Sequence, residues 1–214
     1  MRFAKGDEVF AATGEKIGTV NRVVIDAKSR DVTDLVVERG ALFKEEKVIP
    51  VGLVDVENED RIMLRETNQS IDDFPDFETP HYVPIEQAGA PDENIETFYW
   101  YPPANYQFPV VGMLPSVMPN YVLRTETSIP EGRVAIAEGA QVISQDEKHI
   151  GNVEQVIANS ETNRVTHFVV GKGFLLKEHK LVPANWISEV DEDKIYLSVQ
   201  ARIFDRLPDY RPEA

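Results

Sequence analysis

Cysteine is absent from this chain, which excludes a disulfide framework, a thiolate zinc site and a cysteine nucleophile. Basic residues are scarce: 22 Lys and Arg stand against 37 Asp and Glu, for a formal net charge of -15. Binding to a phosphate backbone relies on Lys and Arg displacing counterions, so nucleic acid is disfavoured as a partner. The acidic excess is spread along the chain rather than gathered in one block, and reads as solubility. Long hydrophobic runs are also missing. The longest apolar stretch, FPVVGMLPSVM (residues 108–118), is broken by Pro109 and Pro115 and falls short of the ~20 residues that cross a bilayer. The opening segment MRFAKGDEVF lacks the apolar core of a secretory signal. These absences predict a soluble, cytoplasmic protein with no membrane insertion.

What is present is a duplication. Residues 6–77 reappear at 139–210 without a gap, at a constant offset of 133 (139 minus 6). GDEVFAATGEKIGTVNRVVIDAKSRDVTDLVVERGALFKEEKVIP lies over GAQVISQDEKHIGNVEQVIANSETNRVTHFVVGKGFLLKEHKLVP, and FPDF still meets LPDY at the far end. Roughly a third of the aligned pairs are identical, the signature of an internal repeat. Shared positions serve the common fold, and residues found in one copy are where a specialised site would sit. The shared set includes Gly18/Gly151, Val20/Val153, Val23/Val156, Gly40/Gly173, Lys44/Lys177, Pro50/Pro183 and Pro75/Pro208.

Each copy reads as short β-branched runs separated by turns: EVFA, KIGTVNRVVID, VTDLVVE, KVIPVGLVDVE and RIMLR in the first. In KIGTVNRVVID both alternating sets hold apolar residues, which suits a strand covered on both faces. DAKSRD and its counterpart NSETNR carry turn chemistry and predict a hairpin. The glycines of the G-x-K-I-G and G-K-G segments lack phosphate-loop spacing and predict turns or close strand crossings. The expected class is all-β, two small antiparallel barrels in tandem, each followed by a short helical turn before Pro75 or Pro208. A copy of about 70 residues builds only a marginal core by itself, so each is expected to pack against the other.

The expected domains are a first barrel over 1–77, a linker over 78–130 and a second barrel over 131–214. The linker holds most of the prolines together with aromatics such as Trp100 and Tyr101. Its composition predicts a strap partly in polyproline II conformation, with no long helix or central strand.

Candidate chemistry is thin. His149, His167 and His179 fall in the second copy, opposite Lys16, Asp34 and Glu46, without HxH or HExxH spacing. No metal site is assigned to them. Asp72, Asp73, Asp76 and Glu78 lack the calcium-loop pattern and read as a solvated helix end. No catalytic or cofactor-binding residue is assigned, and the protein is expected not to be an enzyme. The pair RGALFKEEK and KGFLLKEHK places Leu42, Phe43, Phe174, Leu175 and Leu176 directly after a glycine, between strands where a loop is usually polar. These residues, with Trp100 and Tyr101, either bury within the chain or form a docking surface for another protein.

The pattern GxxVxxxxGxxIGxVxxVxxDxxxxxVxxLVVxxG, followed by an apolar pair, Lys and V(I/V)P, resembles the PRC-barrel. That family includes the cytoplasmic part of the photosynthetic reaction-centre H subunit and the C-terminal domain of the ribosome-maturation protein RimM. The resemblance covers both copies and not the linker. It implies a small antiparallel β-barrel that works by binding or assembly, with no catalytic residues to carry over. The expected role is a noncatalytic adaptor or scaffold for a protein partner, a pseudo-dimer within one chain that is open to further self-association. A ribosome- or RNA-linked factor similar to RimM is one alternative, and a photosynthetic-complex protein similar to the H subunit without its membrane helix is another.

Overall fold

A computed structural model describes residues 1–40, 44–58, 61–65, 70–84, 95–97, 121–137, 139–173, 178–191 and 193–211. The chain divides into two compact units, Met1–Phe77 with Ile129–Ala214, and Glu78–Ser128. The first copy and the residues just before it supply β1 (Arg2–Ala4), β2 (Glu8–Phe10), β3 (Lys16–Asp26), β4 (Val32–Arg39), β5 (Glu45–Pro50), β6 (Val54–Asn58) and β7 (Arg61–Leu64). The smaller unit holds β8 (Glu78–Pro84), β9 (Ile95–Thr97) and β10 (Tyr121–Thr127). The second copy and the residues just before it supply β11 (Arg133–Ala137), β12 (Gln141–Ile143), β13 (His149–Ala158), β14 (Val165–Lys172), β15 (Glu178–Pro183), β16 (Ile187–Val190), β17 (Lys194–Leu197) and the one-turn helix α1 (Ala201–Phe204).

The duplication is reproduced strand by strand. Each sheet has seven strands, ordered β5-β4-β3-β2-β7-β6 in one and β15-β14-β13-β12-β17-β16 in the other. Pairing is antiparallel except for β2 with β7 and β12 with β17. The run KVIPVGLVDVE, read from sequence as one strand, is split by a 3-10 turn at Val51–Leu53 that directly follows Pro50. The expected helical turns are a 3-10 turn at Ile71–Asp73 after the first barrel and α1 after the second. The predicted hairpin joins β3 to β4. Asp26 accepts from the N–H groups of Lys28 and Ser29 at 2.9 and 2.8 Å, and its counterpart Asn159 accepts from Glu161 and Thr162 at 2.9 and 3.0 Å. An Asx turn of this kind closes a hairpin without help from the ladder.

The seventh strand of each sheet comes from the other copy. β1 pairs with β13 in the register Arg2–Ile157, Phe3–Val156, Ala4–Gln155. β11 pairs with β3 in the matching register Ala135–Val24, Ile136–Val23, Ala137–Arg22. The two exchanges are equivalent under the repeat offset, so they are related by a pseudo-twofold axis. Asp31 forms a bridge with Arg164, its own counterpart, which places this contact beside that axis. Around it, Val32 N–H donates to the Asn163 carbonyl and Val165 N–H to the Arg30 carbonyl, both at 2.9 Å. Arg30 then breaks the symmetry, reaching the Ala184 and Ile187 carbonyls of the second copy at 2.8 and 2.6 Å. Duplication thus allows one chain to form the self-complementary pairing characteristic of a homodimer.

Burial follows the exchange. One continuous apolar cluster contains Phe3, Val9, Val23, Leu35 and Ile62 together with Ile136, Val156, Phe168, Ile195 and Phe204. A second, smaller cluster gathers Val24, Val36, Val48, Phe77 and Ala135. Consecutive residues Val23, Val24 and Ile25 are all buried, because the opposite faces of β3 serve different clusters. That double covering accounts for the two-sided apolar pattern of the sequence.

In the smaller unit the expectation of no central strand is not met, while residues 85–94 and 98–120 of the expected strap lie outside the described residues. The unit's described residues form a three-stranded antiparallel sheet in the order β8-β10-β9. The central strand, Tyr121–Thr127, contains no proline, while Pro80 and Pro84 lie on the edge strand β8. A proline on an edge strand need not donate to the ladder, so proline richness does not exclude this sheet. Among the described residues, no helix is long and apolar enough to cross a membrane.

Candidate binding cleft

The apolar residues singled out from sequence, Leu42, Phe43, Phe174, Leu175, Leu176, Trp100 and Tyr101, lie outside the described residues. Lys44, at the border of the first loop, is exposed and pairs with Glu38 at 2.9 Å. The acidic group around Asp72 is spread among separate structural tasks. Asp73 and Ser70 form a reciprocal cap on the Ile71–Asp73 turn. Asp72 meets Arg39, and Asp76 meets Lys47 at 2.6 Å. These two pairs recur in the second copy as Lys172–Asp205 and Lys180–Asp209, as befits contacts that serve the shared fold. Of the histidines, His179 Nε2 lies 2.7 Å from Glu154 Oε2, whereas His149 and His167 stand on different strands. No group of His, Asp and Glu able to hold a metal occurs among the described residues.

A cleft of about 800 Å³ opens at one end of the first barrel. Its described lining comes from the β2–β3 turn (Ala11, Ala12, Thr13, Glu15), the start of β3 (Lys16, Ile17), the end of β4 (Arg39), Leu64 and Arg65, and Ser70 through Phe74. The floor is apolar, with Leu64 and Phe74 buried and Ile17 and Ile71 half-buried. The rim is charged. Lys16 is held by Glu8 at 2.6 Å, and Arg39 by Glu45 and Asp72. The exposed Arg65 guanidinium has no ion-pair partner among the described residues.

The second barrel shows how the same end closes. Both copies make the same turn, since Ala11 N–H donates to the Glu15 carbonyl at 2.8 Å and Ser144 N–H to the Lys148 carbonyl at 2.9 Å. The side chains differ. Where the first copy has Ala11-Ala12-Thr13, the second has Ser144-Gln145-Asp146. Asp146 Oδ1 accepts from Ala201 N–H and from the Ser144 hydroxyl, at 2.8 and 2.9 Å, and so caps α1. Gln145 N–H adds a bond to the Val199 carbonyl at 2.9 Å. With α1 pinned in this way, Phe204 is 0% and Ile150 3% exposed. Their counterparts Ile71 and Ile17 remain half-exposed beside the cleft. Ser198 and Ile203 stand where the first copy has Arg65 and Ser70, so both polar groups are specific to the open end.

The Ala201 N–H, the Lys148 ammonium and the Ser144 hydroxyl hold the Asp146 carboxyl far below the ordinary aspartate range. A carboxyl depressed in the folded state contributes stability above its unfolded pKa and loses it as pH falls through its folded value. Asp146→Ala is therefore expected to lower the melting temperature at neutral pH. Its difference from wild type should shrink as the pH drops below the usual aspartate range. Melting curves collected from about pH 7 to about pH 2 check this, and a difference that stays constant to the lowest pH contradicts it.

The cleft is not legible in either copy alone, because its lining residues carry no motif. The signal was a contrast of small residues against capping residues at one turn, visible only when the copies are aligned.

No curated protein matches the chain. The model of the PRC-barrel domain matches residues 4–70 and 137–202, one segment in each copy. The two matched segments span more than half of the chain and coincide with its two strand-exchanged sheets, and on that ground the chain belongs to the PRC-barrel domain family, with the domain present twice.

Proposed function

We propose that the protein is a noncatalytic adaptor, a fused PRC-barrel pair whose first barrel receives a short segment of another protein in its end cleft. The observation that supports this reading is the difference between the two barrel ends among the described residues: α1 and its Asp146 cap cover one, and a cleft with an apolar floor lies at the other. The second barrel also indicates the shape of the occupant. Phe204 on α1 fills that end of the second barrel, where the first has the smaller, half-buried Ile71, so a partner segment with one large apolar anchor suits the space beside Ile71. Burying such an anchor in a desolvated pocket is the usual source of binding energy at a small interface. The charged rim, where Lys16 and Arg39 are held by carboxylates and Arg65 has no ion-pair partner among the described residues, supplies polar contacts around it.

Ala12 and Arg65 are exposed and suit substitution without touching the core. Ala12→Trp fills the cleft, and Arg65→Glu reverses its rim. Full-length protein with either change is expected to lose at least about tenfold in capture of partners that wild type retains from a native lysate. Gln145→Trp on the closed barrel serves as the control and should bind as wild type. Partners captured equally by all four proteins would overturn the cleft reading. Phe43→Asp and Leu175→Asp measure separately whether the apolar loops contribute.

A further inference from the structure

The strand exchange brings together two side chains that occupy equivalent positions in the repeat, Arg22 on β3 and Gln155 on β13. Each contributes a buried polar atom, Arg22 Nε and Gln155 Oε1, that has no hydrogen-bond partner among the described residues. The Arg22 guanidinium also stacks on Phe77, with its Cζ 5.0 Å from the ring centre. Both residues line one small cavity in the seam between β1, β3, β11 and β13, with a volume of about 20 Å³.

Buried donors and acceptors in native proteins are almost always paired, with protein or with ordered water. Here one atom can only donate and the other can only accept, yet they do not bond directly across the cavity they share. A single water needs ~10–15 Å³ of such volume and two or more polar partners, and this cavity offers room for one. Asn21 and Glu154, a second pair of repeat-equivalent polar residues, also line it, with Asn21 Nδ2 bonded to Glu46 and the Glu154 carboxylate beside His179.

We propose that the seam contains a structural water-binding site, in which one water accepts from Arg22 Nε–H and donates to Gln155 Oε1. A bound anion is disfavoured, because the acceptor Gln155 Oε1 faces the same space. The site takes its donor from the first copy and its acceptor from the second, so it forms where unlike copies meet. A seam between two first copies would place two guanidinium groups at the same point.

High-resolution crystallography of the full chain is the direct test. One water within about 3.2 Å of both Arg22 Nε and Gln155 Oε1 is the expected result. An empty cavity, a direct bond between the two side chains, or chloride identified by its anomalous signal would overturn the proposal. In solution, a long-lived water should give cross-relaxation peaks to amides of β3 and β13, and Gln155→Leu should abolish them while far-UV circular dichroism stays unchanged. Absence of those peaks in wild type, or their persistence in the variant, contradicts the assignment. The wild-type measurements stand even if the variant fails to fold.

Discussion

Phe3→Ala is expected to destabilise the protein by about 3–5 kcal/mol, the range for removing a fully buried aromatic ring. A surface location near the N-terminus would suggest tolerance, since chain ends are poorly ordered unless tied down. Phe3 is tied down. It sits on β1, pairs with Val156 of the other copy and is 1% exposed in the shared core. The reciprocal residue, Ile136 on β11, is 2% exposed opposite Val23. Ile136→Ala should cost about 2–5 kcal/mol for the same reason. Typical domains have only about 5–15 kcal/mol in total, so either loss consumes a large share. Urea unfolding monitored by circular dichroism measures both values. A cost below about 1 kcal/mol for Phe3→Ala would mean that the exchanged strand contributes little packing.

The second large effect is expected at a glycine pair. Gly18 on β3 lies against β4, and a Cβ built there would come within 2.3 Å of the Glu38 carbonyl oxygen. Its counterpart Gly151 meets the Gly171 carbonyl oxygen at 2.5 Å. Both obstacles are backbone atoms of the neighbouring strand, which cannot rotate aside as a side chain can. The strands must move apart there, where Gly18 is also paired with Val9 of β2 and Gly151 with Val142 of β12. Gly18→Ala and Gly151→Ala are each expected to cost about 3 kcal/mol or more. Gly52→Ala is the control, because a Cβ there meets nothing within 4 Å. Equal melting temperatures for Gly18→Ala and Gly52→Ala would contradict the close approach.

Much of this architecture was legible in the sequence because duplication doubles every signal. Gly18 and Gly151 were marked by their recurrence, and the structure supplies the reason in the interstrand distance. The hairpin at Asp26–Asp31 was legible from local turn chemistry, which depends on neighbours in the chain. Exchange of β1 and β11 was not legible. RFA and RVAIA look like ordinary strand starts, and nothing local says which copy they join. The sheet in the smaller unit was hidden by proline, since composition cannot tell an edge strand from a strap. The cleft was hidden for a different reason: its signal is the contrast of Ala11, Ala12 and Thr13 with Ser144, Gln145 and Asp146, which shows only when the two turns are set side by side.

The exchanged strands are expected to make the two barrels one cooperative folding unit. Hydrogen exchange monitored by mass spectrometry on Phe3→Ala tests it most directly, because Phe3 belongs to the first copy by sequence and to the second by contact. Cooperative units reveal themselves as segments that open with a common free energy. The expected result is that peptides covering β3–β4 and β13–β14 lose protection together and by the same amount. Faster exchange confined to β13–β14, with β3–β4 protected as in wild type, would contradict the claim and leave the two barrels as neighbours that fold independently.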